Sequence, residues 1–69
     1  MKISARNILN GRIKRITPGA VNAEVILELR SGEEITAIIT KDSVARLGLV
    51  VGKPASAVIK ASEIMIAVD

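Results

Sequence analysis

The stretch Val21–Leu47, VNAEVILELRSGEEITAIITKDSVARL, decides the fold. Its first part sets Val21, Ala23, Val25, Leu27 and Leu29 against Asn22, Glu24, Glu28 and Arg30. Apolar and polar residues alternate with a period of two, the mark of a strand with one buried face. Ile26 breaks the polar side, which marks it for contact with a partner. Arg30-Ser31-Gly32-Glu33 reads as a hairpin turn. From Glu34 to Thr40 the chain returns, with Ile35, Ala37 and Ile39 inward and Thr36, Ile38 and Thr40 on the other face. The period then changes. Val44 and Leu47, three apart, share one side of a short helix. Thr40, Asp42 or Ser43 suits its start as a cap, and Gly48 suits its end.

Upstream, Ile3 to Ile16 mixes apolar and basic residues, anchored by Ile8, Leu9, Ile13 and Ile16. Gly11 interrupts this strand and predicts a bulge or a sharp bend. Thr17-Pro18-Gly19 is a turn signal. Downstream, Leu49 to Lys53 is a connection that turns at Gly52. Pro54 fits the first position of a strand, where its missing N–H costs little. Ala55 to Lys60 is then a fourth strand, Ala61-Ser62-Glu63 a bend, and Ile64 to Val68 a fifth strand. Three strands, a helix and two strands predict an all-β fold, a small five-stranded Greek-key barrel of OB type. No internal repeat, linker or low-complexity segment divides residues 1–69, which read as a single domain.

The chain has 69 residues and is 49% hydrophobic, which argues against disorder. So short a chain buries a modest core and needs further support. Cysteine and histidine are both absent, which excludes disulfides and metal sites built on thiolate or imidazole. Phe, Tyr and Trp are missing too, and with them the largest core-filling side chains. Association of identical chains is the remaining route to stability. Ten Lys and Arg against seven Asp and Glu leave a net charge of +3, a mild excess. No signal peptide or membrane-length apolar run is visible, so the expected location is cytoplasmic.

This composition disfavours catalysis. No histidine supplies a base near neutrality, no cysteine supplies a nucleophile, and the serines lack their usual imidazole partner. Glu33 and Glu34 are adjacent and point apart in a strand or turn. Nucleic acid is an unfavoured partner, because OB-type barrels stack bases on aromatic side chains and this chain has none. Two short segments look equipped for something else. Ser4-Ala5-Arg6-Asn7 and Ile59-Lys60-Ala61-Ser62 each join a cation to small or hydroxyl-bearing neighbours. Small residues let a ligand approach main-chain N–H groups, hydroxyls add donors, and Arg6 with Lys60 balances a charge of minus two. Thr40 and Ser43 add donors at the expected helix start, where an anion is favoured. Each of these residues also has an ordinary use, as a surface charge, a turn residue or a helix cap.

Taken together, Met1 to Asn7, Gly11, Asp42-Ser43-Val44 and Val58 to Ser62 resemble the Mop family of molybdate-binding proteins, the molbindins, along essentially the whole chain. Related domains, called TOBE domains, occur in molybdate-dependent regulators and in transporter ATPase subunits. The resemblance implies an OB-like barrel that exchanges strands between subunits and assembles as a hexamer, a trimer of dimers. It implies molybdate or tungstate as the ligand, bound between subunits, with no cofactor and no membrane. By motif position, Ser4, Ala5 and Arg6 contact the anion, Asn7 supports the turn, Thr40 and Ser43 give hydroxyls or amides, and Lys60, Ala61 and Ser62 complete the pocket. A second site on a symmetry axis falls to Gly19, Ala20, Val21 and Asn22. The implied function is intracellular molybdenum storage and homeostasis. An oxyanion-sensing interaction module is the alternative.

Overall fold

The computed structural model describes all 69 residues. Four antiparallel strands form one sheet in the order β3-β2-β1-β4, with β1 at Asn7–Pro18, β2 at Asn22–Leu29, β3 at Glu34–Thr40 and β4 at Pro54–Ile59. Helix α1, Lys41–Leu47, joins β3 to β4, and a 3-10 turn follows at Ala61–Glu63. The alternation read in the sequence sets the faces. Ile13, Val25 and Leu27 form the buried core, with Ile16, Leu29, Ile35, Ile39, Val44, Leu49, Ala55 and Ala57 packed against it.

The caps are the expected ones. Thr40 accepts from the Ser43 N–H at 3.0 Å, and Gly48 closes the helix in the left-handed region at φ 64°. Lys53 Nζ adds a cation at the helix C-terminus, donating to the Leu47 and Gly48 carbonyls at 3.1 Å each. The hairpin at Arg30–Glu33 closes with Leu29 N–H on the Glu33 carbonyl at 2.8 Å.

Several expectations need correction. The fifth strand does not form within one chain. Ile64 to Val68 pairs with nothing, and Met65, Ile66 and Val68 are about nine-tenths exposed. A strand exists only where an edge supplies its ladder, and this chain folds no edge back onto that segment. The sheet is therefore open, with β3 and β4 as its edges, and is not a closed barrel. Ile3 lies before β1, and Lys60 lies after β4 as the cap of the 3-10 turn. Ile26 is buried inside the chain rather than left for a partner, between Arg15 and Thr36 in register. Val44 packs on the core, while Leu47, 56% exposed, borders the open apolar side of the sheet beside Ile13, Val25 and Leu27.

Gly11 marks neither the bulge nor a bend. The register slips between Ile13 and Arg15, so Lys14 is the extra residue. Gly11 is required by a close approach, since a Cβ there would stand 2.3 Å from the Glu28 carbonyl oxygen. The bulge gives Lys14 its reach: its ammonium pairs with Glu34 and lies 3.6 Å from Glu28. The Glu34 hydrogen bond and charge raise the Lys14 pKa, and the same contact lowers that of Glu34.

Candidate functional site

Register decides where the predicted site residues fall. Asn7 pairs with Ile59 on the last rung of the β1–β4 ladder. The chain leaves that rung through Arg6, Ala5 and Ser4 on one strand and through Lys60, Ala61 and Ser62 on the other. Both cationic segments therefore emerge at one corner of the sheet. Lys60 precedes a 3-10 turn whose Glu63 N–H bonds the Lys60 carbonyl at 2.9 Å. The first N–H groups of such a turn have no partner inside it, which leaves donors beside the lysine. Arg6 and Lys60 are exposed, and neither forms an ion pair. Ala5 and Asn7 are half-buried and Ser4 is exposed.

Thr40 and Ser43 stand elsewhere. Asn22 pairs with Thr40, and Pro18 at the far end of β1 pairs with Ala23. The Arg6–Lys60 corner and the helix start thus lie at opposite ends of the 12-residue β1. One chain does not bring them together. The Gly19–Asn22 turn belongs to the helix end, since Gly19 N–H bonds the Asn22 carbonyl at 2.7 Å and Lys41 N–H bonds the Val21 carbonyl at 2.9 Å.

The helix start carries a small hydroxyl network. Thr40 Oγ1 donates to Ser43 Oγ at 2.8 Å, and Arg46 donates to the same oxygen at 3.4 Å. With both lone pairs engaged, the Ser43 hydroxyl keeps its own hydrogen to offer. Asp42 takes no part in this network and is exposed. Arg46 was not found by sequence reasoning, although its position three residues after Ser43 was the available signal. The Asn10–Ser56 hydrogen bond, 2.6 Å across the β1–β4 ladder, was missed as well.

The corner carries Arg6 and Lys60, and the helix start carries Arg46 beside the Ser43 hydroxyl, with Glu63 and Asp42 as the carboxylates in the same two turns. A family model described as the TOBE domain matches residues 3–66. "Molybdenum-pterin-binding protein 1" of Clostridium pasteurianum is 47% identical over 66 residues, covering 96% of this chain and 97% of that protein. Among solved structures, MopII from Clostridium pasteurianum superposes with a TM-score of 0.92 at 45% identity, covering 97% of this chain and 100% of that one. The cytoplasmic molybdate-binding protein ModG, solved with molybdate bound, superposes with a TM-score of 0.85 at 61% identity, covering 88% of this chain and 43% of its own. With the family model spanning residues 3–66, and the Clostridium pasteurianum relative matched along nearly its whole length, the chain belongs to the TOBE-domain family, among the molybdenum-pterin-binding proteins.

Proposed function

We propose that this protein binds molybdate reversibly, without catalysis, at sites shared between subunits. The observation that carries the reading is the joint exit of Arg6 and Lys60 from the Asn7–Ile59 rung, both free of carboxylate partners. Burying a dianion without compensation is prohibitive. Two fixed cations neutralise it, and the amides and hydroxyls around Ser4, Ala5, Asn7, Ala61 and Ser62 replace its hydration. Thr40 and Ser43 of a second chain close the pocket, because their own chain holds them at the other end of β1. The second site at Gly19, Ala20, Val21 and Asn22 belongs to that same end. Molybdate carries no proton at neutral pH, and a donor-only pocket selects it over phosphate, which often does. Tungstate, with the same charge and shape, is accepted as well.

Assembly follows from the open sheet. An apolar trough of about 390 Å³ runs between β3 and β4, lined by Ile13, Val25, Leu27, Ile35, Ala37 and Ile39 among others. Ile64 to Val68 of a second chain fills it as the fifth strand and completes the Greek-key barrel. Strand exchange makes the dimer, and three dimers make the hexamer. Storage in the cytoplasm is the role we assign. It is supported by the ModG relative described as cytoplasmic and by the lack of any helix long and apolar enough to cross a membrane. The sensing module differs from storage in docking onto another protein only when the anion is bound.

Elemental analysis of purified protein equilibrated with molybdate tests the proposal. Retained molybdenum in fixed ratio to chain, with a thermal midpoint that rises as ligand increases, is the expected result. No retained metal and an unmoved midpoint would overturn it.

A further inference from the structure

We infer that a further, separate ligand site lies in the notch at the end of β2, where β1 changes partner, and that it takes a small organic phosphate. β1 pairs with β4 through Asn7–Arg12 and with β2 through Gly11–Pro18. β2 stops at Leu29, opposite Gly11, so β1 overhangs it by four residues, Asn7–Asn10. Two adjoining clefts of about 370 and 360 Å³ open at that step and share Asn10, Leu29 and Arg30. Each lies in the size range of a small-molecule pocket.

The charge of this cleft follows from the bulge. Arg12 faces Glu28 in register, and an ion pair there would be the ordinary outcome. The extra residue Lys14 approaches Glu28 and pairs with Glu34 instead. Arg12 is held by a neutral group, donating to the Gly52 carbonyl at 3.1 Å, so it is positioned while its charge stays uncompensated. Arg30 makes no ion pair at all. Asn10 is oriented by Ser56, whose hydroxyl donates to Oδ1 at 2.6 Å, which leaves the amide NH₂ as a donor. The polar end of the cleft thus has two guanidinium groups and an amide donor, with one carboxylate, Glu28, already drawn toward Lys14.

The other end differs. Ile8, Leu9 and Leu29 line it. A bare oxyanion has no use for that apolar floor, whereas an organic phosphomonoester fills both ends. Its phosphoryl group meets the fork donors of Arg12 and Arg30, and its organic body lies over Leu29. This site does not depend on Arg6, Lys60 or the molybdate reading, since none of those residues lines it.

The test is a titration of the assembled protein with phenyl phosphate, and separately with inorganic phosphate, followed by amide chemical shifts and calorimetry. Phenyl phosphate is expected to shift the amides of Asn10, Gly11 and Arg30 and to bind at least about tenfold tighter than inorganic phosphate, which lacks the apolar contact. R30A and R12M are each expected to weaken it by about tenfold or more while molybdate uptake stays unchanged. Equal affinity for the two phosphates would overturn the organic-ligand assignment. Shifts confined to residues 4–7 and 60–62, or binding indifferent to both arginine variants, would overturn the site.

Discussion

Asn7 and Ile59 face each other across the last rung of the β1–β4 ladder, and the two cationic segments leave the sheet from that rung. Fifty-one residues of chain separate the pair, and the sheet cancels that separation. The rung fixes which residues share a corner. It also fixes which do not, since Thr40 and Ser43 are tied to the opposite end by the Asn22–Thr40 pair.

Gly11→Ala tests the close approach within the sheet. The added methyl would stand 2.3 Å from the Glu28 carbonyl oxygen, a main-chain atom that moves only with its strand. Denaturant unfolding should show a loss of about 1–3 kcal/mol, the usual cost of overpacking. An unchanged midpoint would mean that β1 and β2 stand further apart than described.

The Lys14–Glu34 pair gives a pH signature. Glu34 has its pKa lowered in the folded state, chiefly by the hydrogen bond from Lys14, so its contribution is complete above the unfolded carboxylate value of 4.5. It is lost as pH falls through the folded pKa. Lys14 has its pKa raised from 10.5, so its contribution is complete below that value and is lost as pH rises through the folded pKa. Glu34→Gln should therefore lower thermal stability at neutral pH and flatten the fall in stability on acidification. The pair is exposed, so the effect should be small and should shrink further in high salt. A variant with the full acid dependence of the parent would show that other carboxylates set it.

Much of the fold is legible in the residues themselves. The alternation from Ala23 to Leu29, the hairpin at Ser31-Gly32 and the caps Thr40 and Gly48 are local signals, and each appears where the sequence places it; Val21 is the exception, lying before β2 and 71% exposed. Pro54 opens β4 for the reason its missing N–H gives. The misreadings concern relations between distant parts. Gly11 and Lys14 exchange roles because a bulge depends on register, and register is set by the partner strand. Ile26 is buried by neighbours in β1 and β3 that its own strand does not announce. Ile64 to Val68 has the composition of a strand and pairs with neither open edge of its own chain. For the site, the residue types that hold an anion were visible in two segments. That these meet at one corner while Thr40 and Ser43 stand apart is a matter of strand order.

Removing Ile64–Asp69 tests the assembly. Beyond Ile64, itself 44% exposed, these residues touch little of their own chain, with Met65 93%, Ile66 87% and Val68 91% exposed, so their loss costs one isolated subunit little packing. If they fill the trough of a second chain, their loss exposes an apolar floor in every subunit. Light scattering should then show smaller species than the parent or outright aggregation. A truncated chain with the parent's mass in solution and the parent's stability would rule out strand exchange.

The central claim is that Arg6 and Lys60 together neutralise one bound oxyanion. Calorimetric titration of molybdate into the parent protein, Arg6→Ala and Lys60→Ala at neutral pH tests it most directly. Both side chains are exposed and unpaired, so each variant should fold as the parent does. Each should bind molybdate about 2–5 kcal/mol more weakly, the cost of leaving a buried charge without its partner. Parent-like affinity in both variants would contradict the account.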